Sequence, residues 1–108
     1  MNLAPISLDL VTWNSTGQVV SLELQYLRGS NVSMRSLDAL IYNSTWKFNI
    51  VFSNVNSSNP LTLGSEVTQS FFLAGAPLKV GVVYDITTTG TYVNGTNSIS
   101  NFEVELQT

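Results

Sequence analysis

Five asparagines stand two residues before a serine or threonine, at Asn14, Asn31, Asn43, Asn56 and Asn94. At that spacing a side-chain amide can accept an N-linked sugar. With 11 Asn and 25 Ser plus Thr in 108 residues, about half as many such sites would arise by chance. All five fall in segments that read as turns or loops, so surface glycosylation and export are expectations. Glu103 and Glu105 are a second candidate group, about 7 Å apart along a strand, a separation usable by a glycosidase pair or a calcium site. Their alternation with Phe102, Val104 and Leu106 accounts for them as a solvated strand face.

Serines are plentiful, but a hydroxyl nucleophile needs a base, and the chain has no His and no Cys. Lys47 and Lys79 are the remaining bases of use, and no serine is expected to act from a G-x-S-x-G turn or an S-x-x-K motif. Gly75, Gly81, Gly90 and Gly95 lack the strand, glycine-rich turn and helix of a phosphate loop. No catalytic, cofactor or metal site is expected, and the chain reads as a non-enzyme. Among the aromatics, Trp13 and Trp46 could form a platform on which a sugar stacks, and Tyr92 is a further ring a sugar-binding module could use. Trp46 shares a strand face with Phe48, Ile50 and Phe52 and reads as core.

The elements that must position these groups have a period of two almost throughout. Ile6, Leu8 and Leu10 alternate with Ser7 and Asp9, which places Trp13 on the opposite face. Val20, Leu22, Leu24 and Tyr26 form the clearest strand with one face buried. Residues 29–36 read as a loop, 37–42 as a strand and 43–45 as a turn. A strand follows with Lys47, Asn49 and Ser53 opposite its apolar face, then an Asn/Ser-rich loop over 54–60 that is the expected mobile segment. Residues 67–73, 78–86 and 98–106 supply three more strands, with Val82 in the core. No segment of ten or more residues carries helical apolar spacing. Seven to eight short strands in one domain over 1–108 predict an all-β, immunoglobulin-like sandwich of two antiparallel sheets. The Cys…Trp…Cys spacing of true immunoglobulin domains is absent.

Charged residues make up only 10 % of the chain, against roughly 25 % in ordinary soluble proteins, and the net charge is -3. Four cations, Arg28, Arg35, Lys47 and Lys79, cannot form a stripe for phosphate backbones or anionic lipid, so neither nucleic acid nor a membrane surface is an expected partner. Leu40, Ile41 and Tyr42 are consecutive apolar residues in a strand and cannot all enter one core. They are the candidate protein interface, and a homodimer through the strand around Ile41 is expected.

The stretch over residues 18–53 joins an apolar strand, the turn Arg28-Gly29-Ser30, the run Ser36-Leu37-Asp38-Ala39-Leu40-Ile41-Tyr42 and a polar turn before Trp46. It resembles the extracellular sandwich of archaeal motility and pilin-like proteins, most closely that of the FlaF-type archaellum stator proteins. The neutral Asn/Ser/Thr-rich surface is similar to that of surface proteins of thermoacidophilic archaea. The resemblance implies an N-terminal membrane helix outside this chain and a location between membrane and surface layer. It further implies stator function through binding of the surface-layer protein, with pairing to itself or a paralogue. Filament-forming pilins and sugar-binding modules are the alternatives.

Overall fold

The computed structural model describes residues 4–107 apart from Ser30 and Ala76. The first three residues and the end of the Arg28-Gly29-Ser30 turn therefore lie outside the described residues. Seven strands form among the described residues: β1 (Ile6–Asn14), β2 (Val19–Tyr26), β3 (Met34–Tyr42), β4 (Lys47–Val51), β5 (Glu66–Phe72), β6 (Val83–Tyr92) and β7 (Asn97–Glu105). They make two antiparallel sheets, ordered β1-β2-β5 and β4-β3-β6-β7. This is the expected immunoglobulin-like sandwich with seven strands. The Tyr84 hydroxyl, at the start of β6, accepts the backbone N–H of Lys79 at 3.1 Å. It ties the strand to the corner upstream of it, as the tyrosine corner of such sandwiches does.

The core follows the period-two pattern. Val20, Leu22, Leu24 and Tyr26 of β2 face Leu37, Ala39 and Ile41 of β3, Ile50 of β4, and Tyr84 and Ile86 of β6, all buried. A bulge in β3 between Met34 and Ser36 lets Met34 and Leu37 both point inward. Met34 also exchanges backbone hydrogen bonds with Leu61, at 2.9 and 2.8 Å.

Three expectations are corrected. A bulge between Leu8 and Leu10 inserts Asp9 as an extra residue, and one inserted residue reverses the faces of everything after it. Trp13 is therefore 2 % exposed in the core, while Leu10 is 52 % exposed outside it. Residues 78–86 are not one strand, because Gly81 takes a left-handed turn with φ +84° and β6 begins only at Val83. Val82 is consequently an exposed turn residue, with Leu78 the buried member of that segment. The strand runs instead through Thr87, Thr88 and Thr89, whose β-branched side chains suit a pleat without announcing themselves as apolar. Ile41, expected at the interface, is fully buried, with Leu40 and Tyr42 facing outward and half-buried. The β3 register places Leu37, Ala39 and Ile41 in the core, so Ile41 offers no surface to a second copy.

Residues 54–60 make a hydrogen-bonded loop. Asn56 and Asn59 form a backbone bridge, and the Asn59 amide donates to the Asn54 carbonyl at 2.8 Å. Val55 and Leu61 anchor it in the core.

Candidate functional site

An apolar surface feature lies where the two sheets meet at the edges of β4 and β5. Phe48 of β4 and Phe71 of β5 meet edge to face across this seam, with ring centroids 5.9 Å apart. Trp46 stacks on Phe48 at 6.3 Å and meets Tyr84 edge-on at 6.5 Å. Beside these rings runs a groove of about 340 Å³ lined by Trp46, Phe48, Phe72, Leu73, Ala74 and Pro77. Phe72, on the outer face of β5, is 63 % exposed at its rim. At another point along the seam Gln69 Oε1 accepts both the backbone N–H and the hydroxyl of Ser53, each at 3.2 Å. The seam thus carries both a polar clip and an apolar opening.

Trp46 also lines a second hollow of about 300 Å³, on the outer side of the β3–β4 hairpin, with Leu40, Tyr42, Asn43, Ser44, Thr45 and Lys47. Two of the three residues read as a candidate interface, Leu40 and Tyr42, face this hollow. The Tyr42 hydroxyl is hydrogen-bonded to Thr87 Oγ1 at 3.3 Å, and Thr87 Oγ1 donates to Asn101 Oδ1 at 2.8 Å. Against the expectation of no S-x-x-K motif, Ser44 and Lys47 stand at that spacing. They lie on a β-hairpin rather than a helix, where positions i and i+3 share a face.

Four of the sequon asparagines, Asn31, Asn43, Asn56 and Asn94, lie in turns or loops as expected, while Asn14 is the last residue of β1. Asn14, Asn31, Asn56 and Asn94 are exposed and Asn43 is half-buried. In three of them the Asn Oδ1 accepts the backbone N–H two residues on: Thr45 at 3.0 Å, Ser58 at 3.0 Å and Thr96 at 3.0 Å. Glu103 and Glu105 lie exposed on β7 and, among the described residues, take part in no carboxylate cluster.

A different acidic group emerges from the tertiary structure. Asp9, Glu23 and Glu66, on β1, β2 and β5, bring carboxylate oxygens within 4.8 Å of one another on the outer face of the three-stranded sheet. Asp9 is the extra residue of the β1 bulge, between Leu8, paired with Leu24, and Leu10, paired with Glu23. None of these three strands contains a Lys or Arg. Glu66 is pushed up to about 7, first by a hydrogen bond with Glu23, then by desolvation and by the charges of Glu23 and Asp9. Sequence separation alone hid the group, since its members are 14 and 43 residues apart.

Trp13 offers no ring face to a sugar, and the Tyr92 ring packs against Tyr26 at a centroid distance of 6.2 Å. No protein-family model matches the chain, and no characterised protein matches it in sequence.

Proposed function

We propose that this chain is a non-catalytic, protein-binding domain of the archaellum stator type, holding a surface-layer protein outside the membrane and pairing with itself or a paralogue. The observation that carries the binding role is the seam groove. It joins two half-buried rings, Trp46 and Phe48, to an exposed one, Phe72. Exposed aromatic residues beside a pocket are the usual anchors of protein interfaces, and a surface this poor in charge favours contacts made by burial. The stator assignment rests on the sequence resemblance.

The test uses purified surface-layer protein in solution against the immobilised domain. Phe72→Asp should weaken binding at least tenfold, while Val51→Asp, at another exposed apolar position on the outer face of β4, should leave it unchanged. Absence of binding by the unmodified chain, or equal loss in both variants, would overturn the reading.

The β7 edge favours a second reading, that of an appendage subunit. Leu106 exchanges its backbone bonds with the β6 side, at 3.1 Å to Val82 and 2.9 Å from Gly81. By the alternation of antiparallel ladders, residues 97, 99, 101, 103 and 105 turn their N–H and C=O groups to the open edge. Ile99, 63 % exposed, lies on this edge strand. Strand addition there would build a filament. Polymerisation of the purified protein, abolished by Ile99→Lys, would support that reading over the first.

A further inference from the structure

We infer that Asn43 is a glycosylated residue whose first sugar seats in the hollow formed by Tyr42, Trp46 and Leu40. The inference rests on the exported, cell-surface reading above.

Asn43 closes the β3–β4 hairpin by donating its backbone N–H to the Trp46 carbonyl at 2.8 Å. Its side-chain oxygen accepts three donors: the N–H of Thr45 at 3.0 Å, the Thr45 hydroxyl at 3.2 Å and the N–H of Trp46 at 2.9 Å. Three donors on one atom require that atom to be the carbonyl oxygen, so the other is the amide nitrogen. Nδ2 is left with no hydrogen-bond acceptor among the described residues. The Thr45 hydroxyl polarises the amide carbonyl, which withdraws charge from Nδ2 and eases loss of its proton.

The covalent step needs a sugar donor of the lipid-linked phosphate class and a separate transferase. Nδ2 attacks the anomeric carbon and the N–C bond forms. The bond from that carbon to the phosphate oxygen breaks, with its electron pair leaving on the phosphate. One Nδ2 proton passes to a base of the transferase. No oxidation or reduction occurs.

What distinguishes Asn43 from a bare sequon is the surface around it. The residue is itself part of the wall of the 300 Å³ hollow, together with Tyr42, Trp46, Leu40 and Lys47. That volume is at the small end of ligand pockets, which run from roughly 300 to 1,000 Å³, and suits one pyranose ring. The C–H face of a sugar packs on aromatic and aliphatic surface, while Lys47 supplies a donor for a hydroxyl or acidic substituent. The sugar also answers a question raised by the strand pattern: it covers Leu40 and Tyr42, the outward apolar pair of β3. By contrast, Asn94 has the same turn, with Thr96 Oγ1 2.7 Å from its Oδ1, but is exposed.

The test is peptide mass spectrometry of the protein purified from the cells that make it. Melting is then compared with that of the same chain from a host that adds no sugar. A glycan mass on the Asn43 peptide, absent in Thr45→Ala, is expected. The glycosylated protein should melt several degrees higher, and in Tyr42→Ala that gap should shrink at least twofold. A bare Asn43 beside glycosylated Asn14, Asn31, Asn56 or Asn94 overturns the inference and leaves the exported reading intact. Five bare asparagines overturn both. A modified Asn43 with no melting gap, or with a gap unchanged in Tyr42→Ala, overturns the seating of the sugar.

Discussion

Truncating Ile41 to Ala should cost about 2–5 kcal/mol, because a fully buried side chain between the sheets leaves a cavity. Ile41→Lys should unfold the chain, since it buries an unpaired charge. Leu40→Lys, one residue away on the outer face, should leave the fold intact. Denaturant midpoints decide the point, and a folded Ile41→Lys protein would show the β3 register to be wrong. Gly90 makes a complementary case. A Cβ added there would lie 2.6 Å from Met34 Sδ, so Gly90→Ala should cost about 1–3 kcal/mol by overpacking. Met34→Leu in the same chain should recover part of that loss, a coupling that a double-mutant cycle measures. The hydroxyls of Thr88 and Ser100 are buried with no hydrogen-bond partner among the described residues. Thr88→Val is therefore expected to be neutral or stabilising, by up to about 1–3 kcal/mol, in the same unfolding assay.

At the scale of the strand, β4 states its direction plainly. Ile50 is buried while Lys47 and Asn49 are exposed, so Ile50→Ala should be costly and Asn49→Ala nearly silent. The β1-β2-β5 sheet sets a pH dependence. Glu66 is held above its unfolded value of 4.5, at about 7, with Glu23 and Asp9 the ionisable groups facing it. Above pH 7 the folded state carries the repulsion of the carboxylates, and below 4.5 folded and unfolded states are both protonated at this site. Stability therefore rises as pH falls from about 7 toward 4.5. The melting temperature should be higher at pH 5 than at pH 8, and Glu66→Gln should flatten that difference. An unchanged slope in the variant would mean that the three carboxylates do not share a proton. The sparse pairing of carboxylates with cations predicts that little stability is lost on acidification, and the cluster adds a gain within that window.

Over the whole molecule, few charges keep neighbouring copies apart. The net charge of -3 falls to zero near the sequence pI of 4.4, while Leu10, Phe72, Val83 and Ile99 remain exposed. Self-association should therefore be greatest near that pH and weaken toward neutrality, as light scattering across pH 4 to 8 would show. The same acid range that favours the folded chain thus also favours contact between chains. Binding of a partner in the seam groove should in turn depend little on salt, because screening acts on charges and the groove is lined by apolar side chains.

The alternation of β2, the apolar face from Trp46 to Phe52 and the inward set Phe102, Val104 and Leu106 were legible in the sequence. A pleat presents every second residue to the same side, and burial selects those residues. The turn positions of four of the five sequons were legible as well, because Asn and Ser side chains bond their own backbone there. The phase of β1 was not, since a bulge leaves no mark in composition and yet reverses Trp13 and Leu10. The choice between Ile41 and its neighbours was equally closed to the sequence, because Leu40-Ile41-Tyr42 satisfies either phase until the bulge in β3 and pairing with β6 fix it. The proximity of Asp9, Glu23 and Glu66, and that of Trp46 to Phe72, was decided by tertiary structure alone. Each depends on strands distant in the chain becoming neighbours, and strand order is set by how two sheets close over one core.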